Sequence, residues 1–124
     1  MEDWKLDFEW LRVRHLVKDS MNKTELPDLQ SILYLIGIQE LGRWDGETNF
    51  SKEEKQDLMH IAVCTLLEEE GYYIFEGRDQ DGWPHWKEYS SFKIAGLEEQ
   101  ERFLKEKVIE YFQALEQLEN DSHK

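Results

Sequence analysis

Three side chains of chemically active type share one face of the helix predicted over residues 51–70. His60 and Cys64 are four residues apart, and Asp57 precedes His60 by three, so all three project from the same side. Imidazole, thiolate and carboxylate groups together are ligands of zinc and related metals. A complete site needs a further ligand from another element, and His15 on the predicted first helix is the obvious donor. The alternative functional hypothesis is therefore a small metal-binding or metal-dependent enzyme bundle.

The rest of the sequence lacks the motifs that accompany such chemistry. There is no C-x-x-C, no H-E-x-x-H and no second carboxylate-x-x-His spacing, so Asp57-Leu-Met-His60 is one imperfect half of a di-metal motif. Cys64 lies inside the apolar segment IAVCTLL, which raises a thiol pKa and leaves the group inert. Walker, dinucleotide-binding and nucleophile-elbow motifs are also absent. The sequence thus predicts no catalytic residue, no metal and no cofactor, and favours a protein that is not an enzyme.

Aromatic residues are concentrated around a turn signal in the segment YYIFEGRDQDGWPHWKEY, residues 72–89. Apolar residues alternate on either side of Asp81-Gly82, which predicts an antiparallel β-hairpin. A two-residue turn would place Gly77 opposite Trp86, whereas a four-residue loop would place Phe75 opposite Trp86. Both registers stay open, and both give the same two faces because they differ by an even number.

The two predicted faces differ in charge. Tyr73, Phe75 and Trp86 form the face with fewer charges, and we expect it to dock on the helices because a lone hairpin is marginal in water. The opposite face mixes aromatic and charged side chains, which is typical of interaction hot spots. We therefore predict a binding surface formed by Glu76, Arg78, Trp83, His85 and Tyr89.

This surface has alternative roles. It would contact a protein partner or a second copy of the chain, as a homodimer through the hairpin or the last helix, or it would stack a planar ligand. In a further alternative, Trp83 and Tyr89 fold back on the loop around Trp44. Exposed aromatic patches most often mark protein interfaces. The leading hypothesis is a non-catalytic interaction or regulatory module that acts through the aromatic face of the hairpin.

Four helices are predicted around the hairpin from apolar residues at the 3.6-residue period. Pro27 is placed in the first turn of the second helix. Gly37 lies in the middle of that helix, where it costs about 1 kcal/mol against alanine, and a close helix crossing would explain it. Gly42 is a natural stop for the same helix, and Ser51 and Glu54 form the S-x-x-E capping box at the start of the third. The predicted helices span residues 4–21, 24–42, 51–70 and 97–118, with loops over 43–50 and 90–96.

These elements predict a mainly α fold with a small β element. We expect a four-helix bundle-like arrangement, with one antiparallel hairpin over residues 72–89 between the third and fourth helices, in a single domain of residues 1–124.

The composition limits the classes of partner. A net charge of −13 over 124 residues repels nucleic acid and anionic membranes. The longest uncharged segment, LQSILYLIGIQ, is too short to span a bilayer. A single cysteine excludes an internal disulfide, and the acidic N-terminal segment has no signal-peptide pattern. These features predict an acidic cytoplasmic protein that binds neither nucleic acid nor membrane.

The segments SILYLIGIQELG, FSKEEKQDLMHIAVCTLLEEEGYY and FEGRDQDGWPHW lie within residues 28–89. They resemble segments of a family of small uncharacterised bacterial proteins. The resemblance implies a bacterial, cytoplasmic origin, and it brings no activity, ligand or catalytic residue to this chain.

Overall fold

The structure, a computed structural model, describes residues 2–42, 49–90 and 96–122. Within these residues the chain forms four helices and one two-stranded antiparallel sheet, which confirms a mainly α fold with a hairpin between the third and fourth helices. The predicted loop residues 43–48, which include Trp44, and 91–95 lie outside the described residues. The elements are α1 (Asp3–Ser20), α2 (Leu29–Leu41), α3 (Lys52–Glu68), β1 (Tyr73–Arg78), β2 (Pro84–Glu88) and α4 (Leu97–Ser122).

The chain divides into two compact units. The first contains α1 and α4, and the second contains α2, α3 and the hairpin. In the first unit, Arg12 forms an ion pair with Glu116 at 3.1 Å, and Arg102 pairs with Asp3. These pairs link α1 to α4. The organisation of residues 1–124 as a single domain stays a prediction.

The second helix begins later than predicted, at Leu29 rather than at residue 24. Pro27 precedes the helix instead of lying in its first turn, and the residue before a proline is disfavoured in the α conformation. Asp28 is the N-cap, because its carboxylate accepts a hydrogen bond from the backbone N–H of Ser31 at 2.8 Å. The start of α2 is therefore set by a capping aspartate that the sequence analysis did not use.

The end of α2 and the start of α3 follow the predicted signals. Ser51 Oγ accepts from the Glu54 N–H at 3.1 Å, and Glu54 Oε1 accepts from the Ser51 N–H at 2.9 Å, which confirms the capping box. Gly42 ends α2 in the left-handed conformation, with φ of 79°, as predicted for a glycine stop.

α2 and α3 cross at Gly37. A methyl group on this residue would overlap the backbone carbonyl oxygen of Leu58 and would lie 2.6 Å from its carbonyl carbon. Only glycine allows two helix backbones to approach so closely, so the predicted close crossing is confirmed. The crossing brings together a cluster of buried apolar side chains, which are Ile38, Leu41, Leu58 and Ile61.

The hairpin combines a regular half with a β-bulge. Phe75 lies opposite Trp86, as in the register with a four-residue loop, whereas Gly77 lies opposite His85 and Arg78 opposite Pro84. The register therefore shifts between Phe75 and Gly77, where Gly77 has φ of 115°. The expectation of two unchanged faces is wrong beyond this point, because a bulge adds one residue to one strand and reverses the alternation of its side chains.

A cleft between α3 and the hairpin turn

The face of the hairpin that carries Tyr73 and Trp86 packs on the helices of the second unit. The Tyr73 ring makes an edge-to-face contact with the His60 imidazole, with ring centroids 6.1 Å apart. Trp86 packs against the buried cluster of α2 and α3, and Trp83 does the same. The predicted docking face is therefore confirmed for Tyr73 and Trp86. Phe75 contacts Trp86, with ring centroids 5.3 Å apart, but remains 45% exposed.

Arg78 joins the hairpin to the end of α2. Its guanidinium donates to the carbonyl oxygens of Glu40 at 2.8 Å, Leu41 at 3.1 Å and Gly82 at 2.8 Å. The last carbonyls of a helix have no partner within the helix, and they carry partial negative charge that a cation stabilises. Arg78 was predicted on the face of the hairpin opposite Trp86, but the β-bulge places it on the side of Pro84 and Trp86.

Trp83 also departs from the predicted surface, since it is half-buried against the α2–α3 cluster. The other predicted members, Glu76, His85 and Tyr89, are exposed. We define the outer face of the hairpin by its exposed side chains on the side away from Trp86. These are Ile74, Glu76, His85, Lys87 and Tyr89.

A cleft of about 450 Å³ lies between α3 and the turn of the hairpin. It brings Asp57 and His60, two of the candidate metal ligands of the alternative hypothesis, next to Trp83 and His85, from the predicted binding surface. Three carboxylates, two imidazoles and three apolar side chains form its lining. The lining residues are Glu54, Asp57, Asp79, His60, His85, Ile61, Trp83 and Pro84.

Asp79 organises the turn side of the cleft. Its Oδ1 accepts from the backbone N–H groups of Asp81 at 2.9 Å and Trp83 at 3.0 Å, and its Oδ2 lies 2.8 Å from His85 Nε2. The His85 hydrogen bond, followed by that from the Trp83 backbone, lowers the pKa of Asp79 below its usual range. An ionised carboxylate can only accept hydrogen bonds, so His85 Nε2 is the donor to Asp79. The other ring nitrogen of His85, Nδ1, takes no part in this hydrogen bond.

Asp79 was missed in the sequence analysis, although a signal for it exists. An aspartate that begins a short loop commonly accepts hydrogen bonds from backbone N–H groups two or more residues ahead. That pattern, at Asp79 before Asp81-Gly82, pointed to the turn. It did not point to the histidine across the hairpin.

The α3 side of the cleft contains two carboxylates that differ in their hydrogen bonding. Glu54 is engaged in the capping box through Oε1. The Asp57 side chain has no hydrogen bond or ion pair with any residue in the described ranges 2–42, 49–90 and 96–122. Asp57 is therefore the carboxylate that remains open to a ligand.

The proposed metal ligands are only partly brought together. Cys64 Sγ lies 3.5 Å from His60 Nε2. Cys64 is 1% exposed, and burial, with a smaller effect of Glu68, raises its pKa to about 12. His15 lies on α1, in the first unit. Among the residues that the structure describes, no three histidine, cysteine or acidic side chains converge in the way that a bound metal requires.

Comparisons of the chain with protein families, with curated proteins and with solved structures found no match. In the described part of the chain, no helix has the combined length and apolar character that crossing a membrane requires.

Proposed function

We propose that this protein is a non-catalytic interaction module that binds a protein partner through the outer face of the hairpin. The observation that carries the proposal is the exposure of large side chains there, since Tyr89 is 73% exposed and Ile74 49% exposed. A hairpin with one face packed on helices has no structural need for exposed apolar side chains on the other. Such patches mark protein interfaces more often than plain solvated surface.

The charge of the protein indicates the chemistry of the partner. The chain has a net charge of −13, and His85 of the outer face also lines the cleft, together with three carboxylates. Opposite charge favours association, and like charge slows it and disfavours it. We therefore infer a partner with a basic segment. A second copy of the chain carries the same negative charge and fits less well.

The cleft residues support binding rather than covalent catalysis. No hydroxyl or thiol side chain is among the residues that line the cleft in the described structure. Cys64, the single cysteine of the chain, is 1% exposed, and its pKa of about 12 keeps it protonated at neutral pH. A nucleophile activated by the His85–Asp79 pair is thus missing from these positions.

Site-specific photo-crosslinking in the source cells tests the proposal. A benzophenone amino acid at position 89 is compared with the same group at Gln30, an exposed position on α2. We expect a discrete adduct from position 89 alone, and we expect Ile74→Lys to abolish it. Mass spectrometry of the adduct should identify a basic segment in the attached peptide.

Two results would contradict the proposal. An equal adduct from position 30, or no adduct from position 89, would remove the assignment to the outer face. An adduct of two copies of this chain would overturn the inference of a basic partner.

A further inference from the structure

The cleft between α3 and the hairpin turn combines apolar surface with negative charge. Ile61 and Trp83 provide apolar lining, while Asp57 and Asp79 provide carboxylates. Ligands that match both properties have an apolar stem that ends in a positive group, as lysine and arginine side chains and alkyl amines do. The volume of about 450 Å³ is within the range of sites for organic ligands.

We propose that this cleft binds an alkyl-ammonium or alkyl-guanidinium group, with Asp57 as its main charge partner. Asp79 already accepts hydrogen bonds from His85, Asp81 and Trp83, whereas Asp57 has no side-chain partner in the described ranges. A cation with several N–H donors supplies what Asp57 lacks.

Two further groups suit the same ligand. His85 Nε2 donates to Asp79, so in the neutral imidazole Nδ1 is an acceptor for a ligand N–H. The half-buried indole of Trp83 provides an aromatic surface, which attracts cations when they lie over its face. Anions are disfavoured by the three carboxylates of the lining.

The positive group has two sources. It is either a free organic amine or a lysine or arginine side chain from the partner protein, and only the second source rests on the function proposed above.

The binding chemistry is tested on the full chain with N-acetyl-lysine methylamide, and the norleucine analogue serves as its uncharged control. NMR signals of the His60 and His85 rings report on the cleft, at about 150 mM salt to screen non-specific attraction. We expect saturable shifts with the lysine compound and none with the norleucine compound. Equal shifts with both, or no saturation with the lysine compound, would overturn the proposal.

A pair of charge reversals locates the site. Asp57→Lys should weaken binding about tenfold, because an attraction is lost and a repulsion gained. Glu68→Lys makes the same charge change at the far end of α3, outside the lining of the cleft and about 16 Å along the helix from Asp57, and should weaken binding less than about twofold. Equal weakening by both variants would show attraction to the whole acidic protein and would refute the site. Circular dichroism checks that both variants fold.

Combining Asp57→Lys with the crosslinker at position 89 separates the two sources. Loss of the adduct assigns the cation to the partner, and a retained adduct with lost lysine-amide binding assigns it to a free amine. If the lysine compound fails to bind while the adduct forms, the cleft proposal falls and the interaction role stands. If it binds in an Asp57-dependent way and no adduct forms, only the interaction role falls.

Discussion

Replacing Gly37 with alanine should destabilise the α2–α3 pair, although alanine is the better helix former. The added methyl group would overlap the Leu58 carbonyl oxygen, and ordinary contact for such a pair begins at 3.4 Å. Since the obstacle is backbone, a change of side-chain rotamer does not remove it. The two helices must separate by roughly 1 Å at the crossing.

The size of the effect follows from what lies around the crossing. Four buried side chains occupy it, Ile38, Leu41, Leu58 and Ile61, and burying each contributes about 1.5–3 kcal/mol. A gap of 0.5–1 Å forfeits a quarter to a half of the contact energy, which corresponds to roughly 1.5–6 kcal/mol for the cluster. Alanine has a higher helix propensity than glycine, which offsets about 1 kcal/mol of this loss. The difference is roughly 0.5–5 kcal/mol, and overpacking of a core commonly costs about 1–3 kcal/mol, so we expect Gly37→Ala to lower the free energy of unfolding by roughly 1–3 kcal/mol.

Urea unfolding followed by circular dichroism measures this difference. Gln39→Ala, at an exposed position of α2, is the control and should change the free energy of unfolding by less than about 0.5 kcal/mol. Leu58→Ala should not rescue Gly37→Ala, because the overlap is with the Leu58 backbone. The reasoning would be refuted by a Gly37→Ala protein as stable as the parent, or by rescue in the double variant.

Four further predictions concern other contacts of the described structure. Arg78→Ala should lower the free energy of unfolding in urea by roughly 1–2 kcal/mol, because three carbonyl oxygens lose a charged donor. An unchanged free energy of unfolding would show that these hydrogen bonds do not stabilise the fold. Ser51→Ala should lower the free energy of unfolding, measured by thermal unfolding, by about 1 kcal/mol, because the capping box at the start of α3 is lost. Ser20→Ala, which removes a serine hydroxyl at the last residue of α1, serves as the comparison. Cys64, whose pKa is raised from 9.0 to about 12, should react with a thiol reagent at pH 8 only as fast as the protein opens. Stability should fall as pH rises from 9 towards 12, since only the unfolded thiol ionises there; Cys64→Ala should remove that part of the pH dependence.

Local signals predicted the elements and several of their ends. The capping box at Ser51 and Glu54 and the glycine stop at Gly42 depend on residues within one turn of the helix. Each is stabilised by contacts a few residues apart, so its pattern is visible in the sequence alone. Gly37 was informative for the opposite reason, because a costly residue inside an apolar helix requires a compensating approach by another backbone.

The composition of the binding surface was only partly predictable. The alternation of apolar and polar residues assigned Trp83 and Arg78 to the outer face, together with Tyr89. The bulge at Gly77 reverses the alternation for Arg78, and the buried cluster of α2 and α3 draws in Trp83. A period of two residues assigns faces only while a strand is regular, and the sequence did not mark where that regularity ends.

The sequence by itself determined the four helices, the hairpin between the third and fourth, and an acidic surface with a buried thiol. Only the tertiary structure decided that Asp57 and His60 of α3 share a cleft with Asp79 and His85 of the hairpin. These pairs are far apart along the chain, and no local pattern links a helix face to a particular turn. Their meeting depends on how the Trp86 face packs on the α2–α3 crossing, which is fixed by the shapes of side chains from three separate elements.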